Sequence, residues 1–283
     1  MFGATLDYYL LRRLAHRRNL ATEEALDARF REASPLSCSE ATMKSRKLID
    51  RFGGHFPRDS GSHYLDMGCG SGELTVALAE QGLGHMTGVD ILPRNIERAR
   101  AHARQSDAGK GVRFVCGDLR TWVPAEKFHV LLSFDAFEHL DEPGEFLRVM
   151  HRFVIPGGAA VLAFGPLFHS PFGDHMWDFF RMQIPWRGVL FSEQAVLRVR
   201  EEFFRPTDPA GSYRQIAGGL NQMRYSEFLG YVHAAGWTFE YLSVNSFLNA
   251  LPPLRLVSDS VMRIPGMRDY FAHNVYAVLR AAV

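Results

Sequence analysis

The stretch that decides the fold runs from residue 64 to residue 73 and reads Tyr64-Leu65-Asp66-Met67-Gly68-Cys69-Gly70-Ser71-Gly72-Glu73. Its first part is apolar, as in a buried strand, and its three glycines predict a turn. The residues that follow, 73–81, carry an apolar stripe at helical spacing. Glycine adopts positive φ angles and lets backbone N–H groups approach a ligand closely. A strand, a glycine-rich turn and a helix N-terminus in this order predict a nucleotide-binding site.

The charge at this turn indicates which kind of nucleotide binds there. The glycines are spaced G-x-G-x-G rather than the G-x-G-x-x-G of NAD and FAD sites, and Asp66 lies two residues before the first of them. A carboxylate there disfavours a pyrophosphate and favours a ligand with an ammonium and a sulfonium group, which is the charge pattern of S-adenosylmethionine. A second acid, Asp90, ends the next apolar run, at a distance that suits hydrogen bonds to ribose hydroxyls.

Five segments together resemble the motifs of the class I S-adenosylmethionine-dependent methyltransferases. Residues 65–72 resemble motif I, and the later segments follow in the family's order and spacing: Gly88 to Ile91, Cys116 to Leu119, Ser133 to Leu140, and Pro156-Gly157-Gly158. The last of these matches the turn that the family places before its fifth strand. The resemblance covers roughly residues 63–164 and implies S-adenosyl-L-methionine as the cofactor.

The resemblance also implies which residues bind the cofactor. The backbone of 68–72 and the Asp66 carboxylate would hold the methionine part, and Asp90 would hold the ribose. Asp118, with the backbone of Leu119, would contact the adenine, although an aspartate after a strand is also typical of a turn or cap. The full predicted set is Asp66, Gly68, Cys69, Gly70, Gly72, Asp90, Ile91, Asp118, Leu119, Ser133 and Phe134.

Short apolar strands alternate with helices from residue 63 onward. Strands are predicted at 63–67, 85–90, 112–116, 128–134 and 159–164, and helices at 73–81, 94–105 and 144–154. A later helix at 225–235, a strand at 237–244 and an apolar run at 274–280 complete the pattern. This predicts an α/β fold with a Rossmann-like, doubly wound, mostly parallel sheet. The resembling fold has an antiparallel last strand.

The sequence predicts four parts along the chain. Residues 1–62 form an N-terminal helical cover, 63–164 the S-adenosylmethionine-binding core, 165–224 a substrate-cap insertion, and 225–283 the C-terminal part of the core sheet. The insertion is rich in aromatic residues, contains a predicted helix from Ser192 to Phe204, and is too long for a simple loop. The basic helical segment within 1–33 fits either a membrane surface or packing on the core, and its short apolar stripe favours packing.

Composition limits the remaining classes of function. A net charge of +1 gives no general attraction to nucleic acid or anionic lipid. No apolar run is long enough to span a bilayer, so we expect no stable membrane insertion. Residues 1–19 lack the pattern of a signal peptide, and the three scattered cysteines form no disulfide or metal spacing. These features favour a cytoplasmic location, and they leave a monomer and a homodimer both open.

Two groups of side chains are candidates for acid–base chemistry. Glu138 and His139 follow the predicted fourth strand, where the methyl group is expected; His139 would be the general base and Glu138 would orient it, or both would brace the next helix. His169, Asp174 and His175 form a second group in the insertion. One histidine in the substrate pocket is favoured there over a metal site, and the predicted set contains no metal ligand.

The leading hypothesis is a methyltransferase that acts on a hydroxyl of a small, aromatic or apolar metabolite. The aromatic insertion favours a flat or greasy acceptor, and a histidine base favours oxygen over nitrogen. A small-molecule N-methyltransferase and a non-catalytic S-adenosylmethionine-binding subunit are the alternatives. The same fold also supports non-methyl chemistry such as a cyclisation.

Overall fold

The structure is a computed structural model that describes residues 6–15, 37–176, 180, 182–206, 208–216, 218–250 and 255–282. Its centre is one seven-stranded sheet. The strands are β1 (His63–Met67), β2 (His85–Asp90), β3 (Arg113–Cys116), β4 (Phe128–Phe134), β5 (Val154–Phe164), β6 (Trp237–Ser246) and β7 (Ala272–Ala281).

The order of the strands across the sheet is β3-β2-β1-β4-β5-β7-β6. The pairs from β3 to β5 are parallel, whereas β7 runs antiparallel to both of its neighbours. The predicted fold class, a mostly parallel, doubly wound sheet with an antiparallel last strand, is confirmed. Parallel strands bring their carboxyl ends to one edge, where α/β sheets bind ligands. Because β7 is antiparallel, its first residues lie at that same edge.

Helices flank the sheet and extend the fold beyond it. They are α1 (Leu6–Leu14), α2 (Cys38–Phe52), α3 (Glu73–Glu80), α4 (Pro93–Ala103), α5 (Asp107–Lys110), α6 (Pro143–Met150), α7 (Arg187–Leu190), α8 (Glu193–Phe203), α9 (Tyr225–Ala234), α10 (Arg255–Val261) and α11 (Arg268–Phe271). Short 3₁₀ turns lie at Gly53–His55, Phe137–His139 and Phe247–Ala250. No helix in the described part of the chain combines the length and hydropathy needed to cross a membrane.

The two faces of the sheet bury alternate residues of the same strands. Leu65 and Leu131 belong to one apolar cluster, with α6 and α9, whereas Tyr64 and Leu132 belong to the cluster on the other face, with α2. This period-two alternation follows from the pleat of a strand. Burial on both faces explains why the central strands read as nearly continuous apolar runs in the sequence.

The α1 helix packs against α8, which belongs to the insertion and not to the core sheet. Leu11 is fully buried there, and the Tyr8 hydroxyl donates a hydrogen bond to Glu202. The Arg12 guanidinium lies 2.9 Å from the same carboxylate. The sequence also predicts a second helical run, from Thr22 to Phe30, and this run falls outside the described residues.

The start of β5 differs from the prediction. The strand begins at Val154 rather than at 159, and Pro156-Gly157-Gly158 lies inside it instead of in a preceding turn. The pairing shifts here, since Phe128 faces Val154 whereas Val130 faces Ala159, so the intervening β5 residues form an irregularity. Proline has no N–H to donate, which suits an unpaired position. The helix predicted at 144–154 correspondingly ends at Met150.

Candidate active site

The glycine turn after β1 has the geometry that its sequence predicts. Gly68, Gly70 and Gly72 all have positive φ angles, of 82°, 54° and 81°. A Cβ atom on Gly72 would lie 2.7 Å from the Ala99 side chain and 2.8 Å from Phe114. Only glycine therefore fits at the point where the turn enters α3, and the turn keeps its backbone open to a ligand.

The Asp90 carboxylate holds this turn in place. Its Oδ2 accepts a hydrogen bond from the Gly70 N–H at 3.0 Å. Its Oδ1 accepts from the Leu92 N–H at 2.8 Å and from the Asn95 amide at 3.1 Å. Ile91, beside it, is 55% exposed. The residue predicted to bind the ribose thus also ties the end of β2 to the glycine turn.

The Asp66 carboxylate is buried beneath the turn, with 4% of the residue exposed. Burial raises its pKa to about 6, although the Thr75 hydroxyl, which donates a hydrogen bond at 2.6 Å, and the nearby charge of Lys44 both oppose the increase. A buried carboxyl with this pKa is partly neutral near pH 6. A cationic ligand group beside it would favour the ionised form.

This pKa predicts that the binding of S-adenosylmethionine depends on pH. A protonated Asp66 cannot attract the ligand's ammonium group, so we expect the affinity to fall by about tenfold between pH 7 and pH 5. Calorimetric titration across this range measures the effect. Methylthioadenosine, which lacks the ammonium, and the Asp66→Asn variant should show a flat profile; an equal slope for all three would contradict the assignment.

The remaining predicted cofactor residues occupy the edge of the sheet. Ser133 is fully buried at the end of β4, and its Oγ has no hydrogen-bond partner among the described residues. Phe134 packs in the apolar cluster on the α2 side. The Cys69 side chain is buried, and burial raises the pKa of its thiol, so it is a neutral packing group.

Asp118 lies in the turn after β3 and is engaged by Arg120. The guanidinium contacts both carboxylate oxygens, at 2.7 to 3.1 Å, and the Arg120 N–H donates to Oδ1 at 2.9 Å. These hydrogen bonds hold the pKa of Asp118 below its usual range. The geometry is that of a turn residue, and the adenine contact of Asp118 and Leu119 stays a prediction.

Glu138 and His139 lie together after β4 but have separate partners. Glu138 is buried, its Oε1 accepts a hydrogen bond from the Gly165 N–H at 3.2 Å, and its Oε2 has no partner in the described part of the chain. Burial raises the pKa of Glu138 to about 7. The exposed His139 ring places Nδ1 2.7 Å from the Gly219 carbonyl oxygen. In this structure the Gly219 carbonyl, rather than Glu138, orients the imidazole.

His175 adjoins His139, with the two ring centroids 5.5 Å apart and the planes nearly perpendicular. Burial and the neighbouring His139 lower the pKa of His175. His273, at the start of β7, was not singled out in the sequence, and burial and His175 lower its pKa to about 4. The sequence could have indicated His273, because an antiparallel last strand begins at the edge where the parallel strands end.

We call His139, His175 and His273 the histidine cluster. His169 and Asp174, the other residues of the second group, have different partners. Asp174 is buried and forms a bidentate ion pair with Arg187, at 2.7 and 2.8 Å. His169 packs on Phe168 and Tyr270, and burial lowers its pKa. Asp174 is therefore a structural ion-pair partner rather than a companion of the histidines. The described residues contain no group of three or more side chains suited to hold a metal ion.

Arg46 and Lys44 line different cavities beside α2. Arg46 lines a shallow cavity with Cys38, Thr42 and Asp50. Lys44 faces the sheet edge instead, where its Nζ lies 2.5 Å from the Asp135 carboxylate. Arg46 therefore lies outside the cavity that Lys44 lines.

Comparison with known proteins agrees with this geometry. Residues 65–162 match the family model described as a methyltransferase domain. This chain contains a class I S-adenosylmethionine-dependent methyltransferase domain. The family predicted from the glycine turn is confirmed for that domain, and S-adenosylmethionine is its cofactor.

Curated relatives are about 30% identical to this chain over the residues that match. One is the mitochondrial ubiquinone biosynthesis O-methyltransferase of Arabidopsis thaliana, 32% identical over 38% of this chain and 36% of that protein. Another is the trans-aconitate 2-methyltransferase of Streptomyces coelicolor, 28% identical over 77% of this chain and 68% of that protein. The chain spans about a third to a half of the length of most curated relatives it matches.

A solved structure shares the fold of this chain over most of its length. The S-adenosylmethionine-dependent methyltransferase from Mesorhizobium loti superposes with a TM-score of 0.52 at 16% identity, over 86% of this chain and all of that one. At this identity the likeness concerns the fold alone.

The residues present fit the cofactor. The glycine turn leaves no room for side chains at Gly72, the buried Asp66 carboxyl suits a cationic group, and the Ser133 hydroxyl is an unpartnered buried polar atom at the same edge. Of these three observations, the buried Asp66 carboxyl is the one that bears on the cationic methionine part of the cofactor.

Proposed function

We propose that this chain transfers a methyl group from S-adenosylmethionine to a hydroxyl of a small, aromatic or apolar molecule, with His139 as the general base. The observation that carries the proposal is the hydrogen bond between His139 Nδ1 and the Gly219 carbonyl. A carbonyl oxygen only accepts, so Nδ1 must carry the proton and Nε2 keeps its lone pair. The imidazole is thereby fixed in the tautomer that a base requires.

The proton balance of the reaction follows from this tautomer. Bound S-adenosylmethionine supplies an electrophilic methyl group on a sulfonium sulfur, so the chain's task is to position the acceptor and remove its proton. His139 Nε2 takes the hydroxyl proton while the oxygen gains the methyl group. Asp66 and the glycine turn would hold the methionine part, and Asp90 the ribose.

Glu138 acts in this proposal through its charge on His139 and does not orient the imidazole. Its buried carboxyl has a pKa near 7, and the charge of His139 favours its ionised form. By reciprocity, an ionised Glu138 stabilises the imidazolium that His139 becomes after it takes the proton. Its hydrogen bond to the Gly165 N–H fixes the carboxylate against the end of β5.

Two observations support a small acceptor with a flat or apolar body. Aromatic side chains border the histidine cluster, since Phe247 lies between Phe172, at 4.9 Å, and His273, at 6.0 Å between ring centroids. The relatives' names also include O-methyltransferases and a trans-aconitate methyltransferase, all of which refer to small molecules. The chain's net charge of +1 favours such an acceptor over nucleic acid.

The test is a screen of phenolic and aliphatic alcohols that measures the formation of S-adenosylhomocysteine and of the methylated product. Turnover of a hydroxyl compound, with the methyl group on oxygen, is the expected result. Methylation of matched amines but not of alcohols would contradict the oxygen acceptor. Failure to bind S-adenosylmethionine would contradict the whole proposal.

A further inference from the structure

A cavity of about 380 Å³ lies between α2 and the carboxyl ends of β4 and β5. We call it the basic cavity. Its lining includes Lys44, Lys47, Leu48, Arg51, Asp135 and Tyr276. The volume is in the range of sites for small molecules.

The cations of the basic cavity come from one face of one helix. Lys44, Lys47 and Arg51 are spaced by three and four residues, so they project to the same side of α2. Asp135 is the one anion in the lining and is already paired with Lys44. Two cations therefore remain without a balancing anion in the cavity, on a chain whose net charge is only +1.

The two remaining cations have no carboxylate partner among the described residues. Lys47 forms no hydrogen bond or ion pair within that part of the chain. Arg51 donates one hydrogen bond to the Ser243 hydroxyl at 3.1 Å, and its guanidinium lies 4.6 Å from the centre of the Tyr276 ring. This stacking holds the guanidinium at the wall while leaving donors for an anion.

Apolar groups form the rest of the basic cavity. Leu48 is buried, Phe164 and Ala163 end β5, and the Tyr276 ring belongs to the apolar cluster on this face of the sheet. A free inorganic anion has no apolar part, so contact with these surfaces would not add to its affinity. A molecule with an anionic group and an apolar body would contact both.

The basic cavity is continuous in sequence with the candidate active site. Asp135 directly follows Phe134 and lies three residues before Glu138, and Asn274 of the lining follows His273. The other wall is near the predicted cofactor site, since the Lys44 charge acts on the pKa of Asp66. A molecule in this cavity therefore lies beside both the methyl donor's site and the histidine cluster.

We infer that the acceptor is an acid, whose carboxylate is bound by Lys47 and Arg51 while its apolar body lies against Leu48 and Tyr276. The inference rests on the proposed function, because it names the acceptor class of that same site. It assigns substrate specificity to α2, which otherwise serves to cover one face of the sheet.

The experiment titrates three acids, caffeate, salicylate and mandelate, against protein saturated with S-adenosylhomocysteine, each compared with its neutral amide. We expect at least one acid to bind about tenfold more tightly than its amide, since a hydrogen bond to a charged group contributes that much. Lys47→Met and Arg51→Met should each weaken the acid by a similar factor and leave the amide unchanged. Equal binding of every acid and its amide, or binding of no acid, would overturn the inference.

Controls separate this inference from the proposed function. Lys127→Met removes an exposed cation just before β4, at the opposite end of that strand, and should leave the preference for the acid intact. Binding of S-adenosylhomocysteine without any binding of acids would overturn only the inference, whereas no binding of S-adenosylhomocysteine would overturn the proposed function. If Lys47→Met weakened S-adenosylhomocysteine but not methylthioadenosine, the cations would hold the cofactor's carboxylate, and the inference would fail.

Discussion

Replacement of His139 by alanine should lower kcat by about 10²- to 10³-fold, which is the usual contribution of a general base. The affinity for S-adenosylmethionine should stay unchanged, because the His139 ring forms its hydrogen bond with Gly219 and its ring contact with His175. The ring is exposed, so its removal leaves no buried cavity and the variant should fold. Single-turnover kinetics with the acceptor found in the screen, together with calorimetry for the cofactor, measures both effects.

Two further variants make the result for His139 specific. His139→Gln can still donate to the Gly219 carbonyl but has no basic nitrogen, so it should be as slow as His139→Ala. His233→Ala removes another exposed histidine, on α9, and should keep full activity. Rates of His139→Ala that rise at high pH, where the acceptor ionises by itself, would agree with the role of a base. Activity of His139→Gln within a few-fold of the wild type would refute it.

Replacement of Asp90 by alanine should weaken the binding of S-adenosylmethionine by at least about 10²-fold. The carboxylate accepts hydrogen bonds from the Gly70 and Leu92 backbones and from Asn95, so its loss releases the glycine turn. It also removes the predicted acceptor of the ribose hydroxyls. Each hydrogen bond to a charged group contributes about 1.5–3 kcal/mol, so two lost contacts account for this factor. Calorimetric titration measures the change.

The control for Asp90 is an exposed carboxylate that lies outside the site. Asp107→Ala removes the partner of Lys110 at the start of α5 and should leave the binding unchanged. Asp90→Asn keeps an oxygen that can accept the Gly70 N–H, so it should lie between the wild type and Asp90→Ala. Tight binding by Asp90→Ala would show that neither the turn nor the ribose depends on this carboxylate.

The parts of the site that the sequence predicted are those encoded in contiguous residues. The glycine turn, Asp66 and Asp90 could be assigned because a strand, a turn and a helix N-terminus follow one another in the chain, and their backbone geometry depends on local residue types. The sheet could be predicted from alternating short strands and helices. The boundary of β5 was wrong because Pro156-Gly157-Gly158 reads as a turn, whereas β5 pairs with β4 on both sides of it, at Val154 and from Ala159 onward.

The sequence by itself determined the fold class and the cofactor, and it predicted the edge of the sheet at which the site is proposed. The tertiary structure decided which partner each polar side chain has. His139 is oriented by a carbonyl 80 residues away, and Lys44 pairs with a carboxylate 91 residues away. Asp174 is likewise engaged by a distant partner, since it forms a buried ion pair with Arg187 and so does not belong to the candidate site. Such contacts depend on side-chain directions and on burial, which arise only when distant segments pack, and no local pattern of residues encodes them.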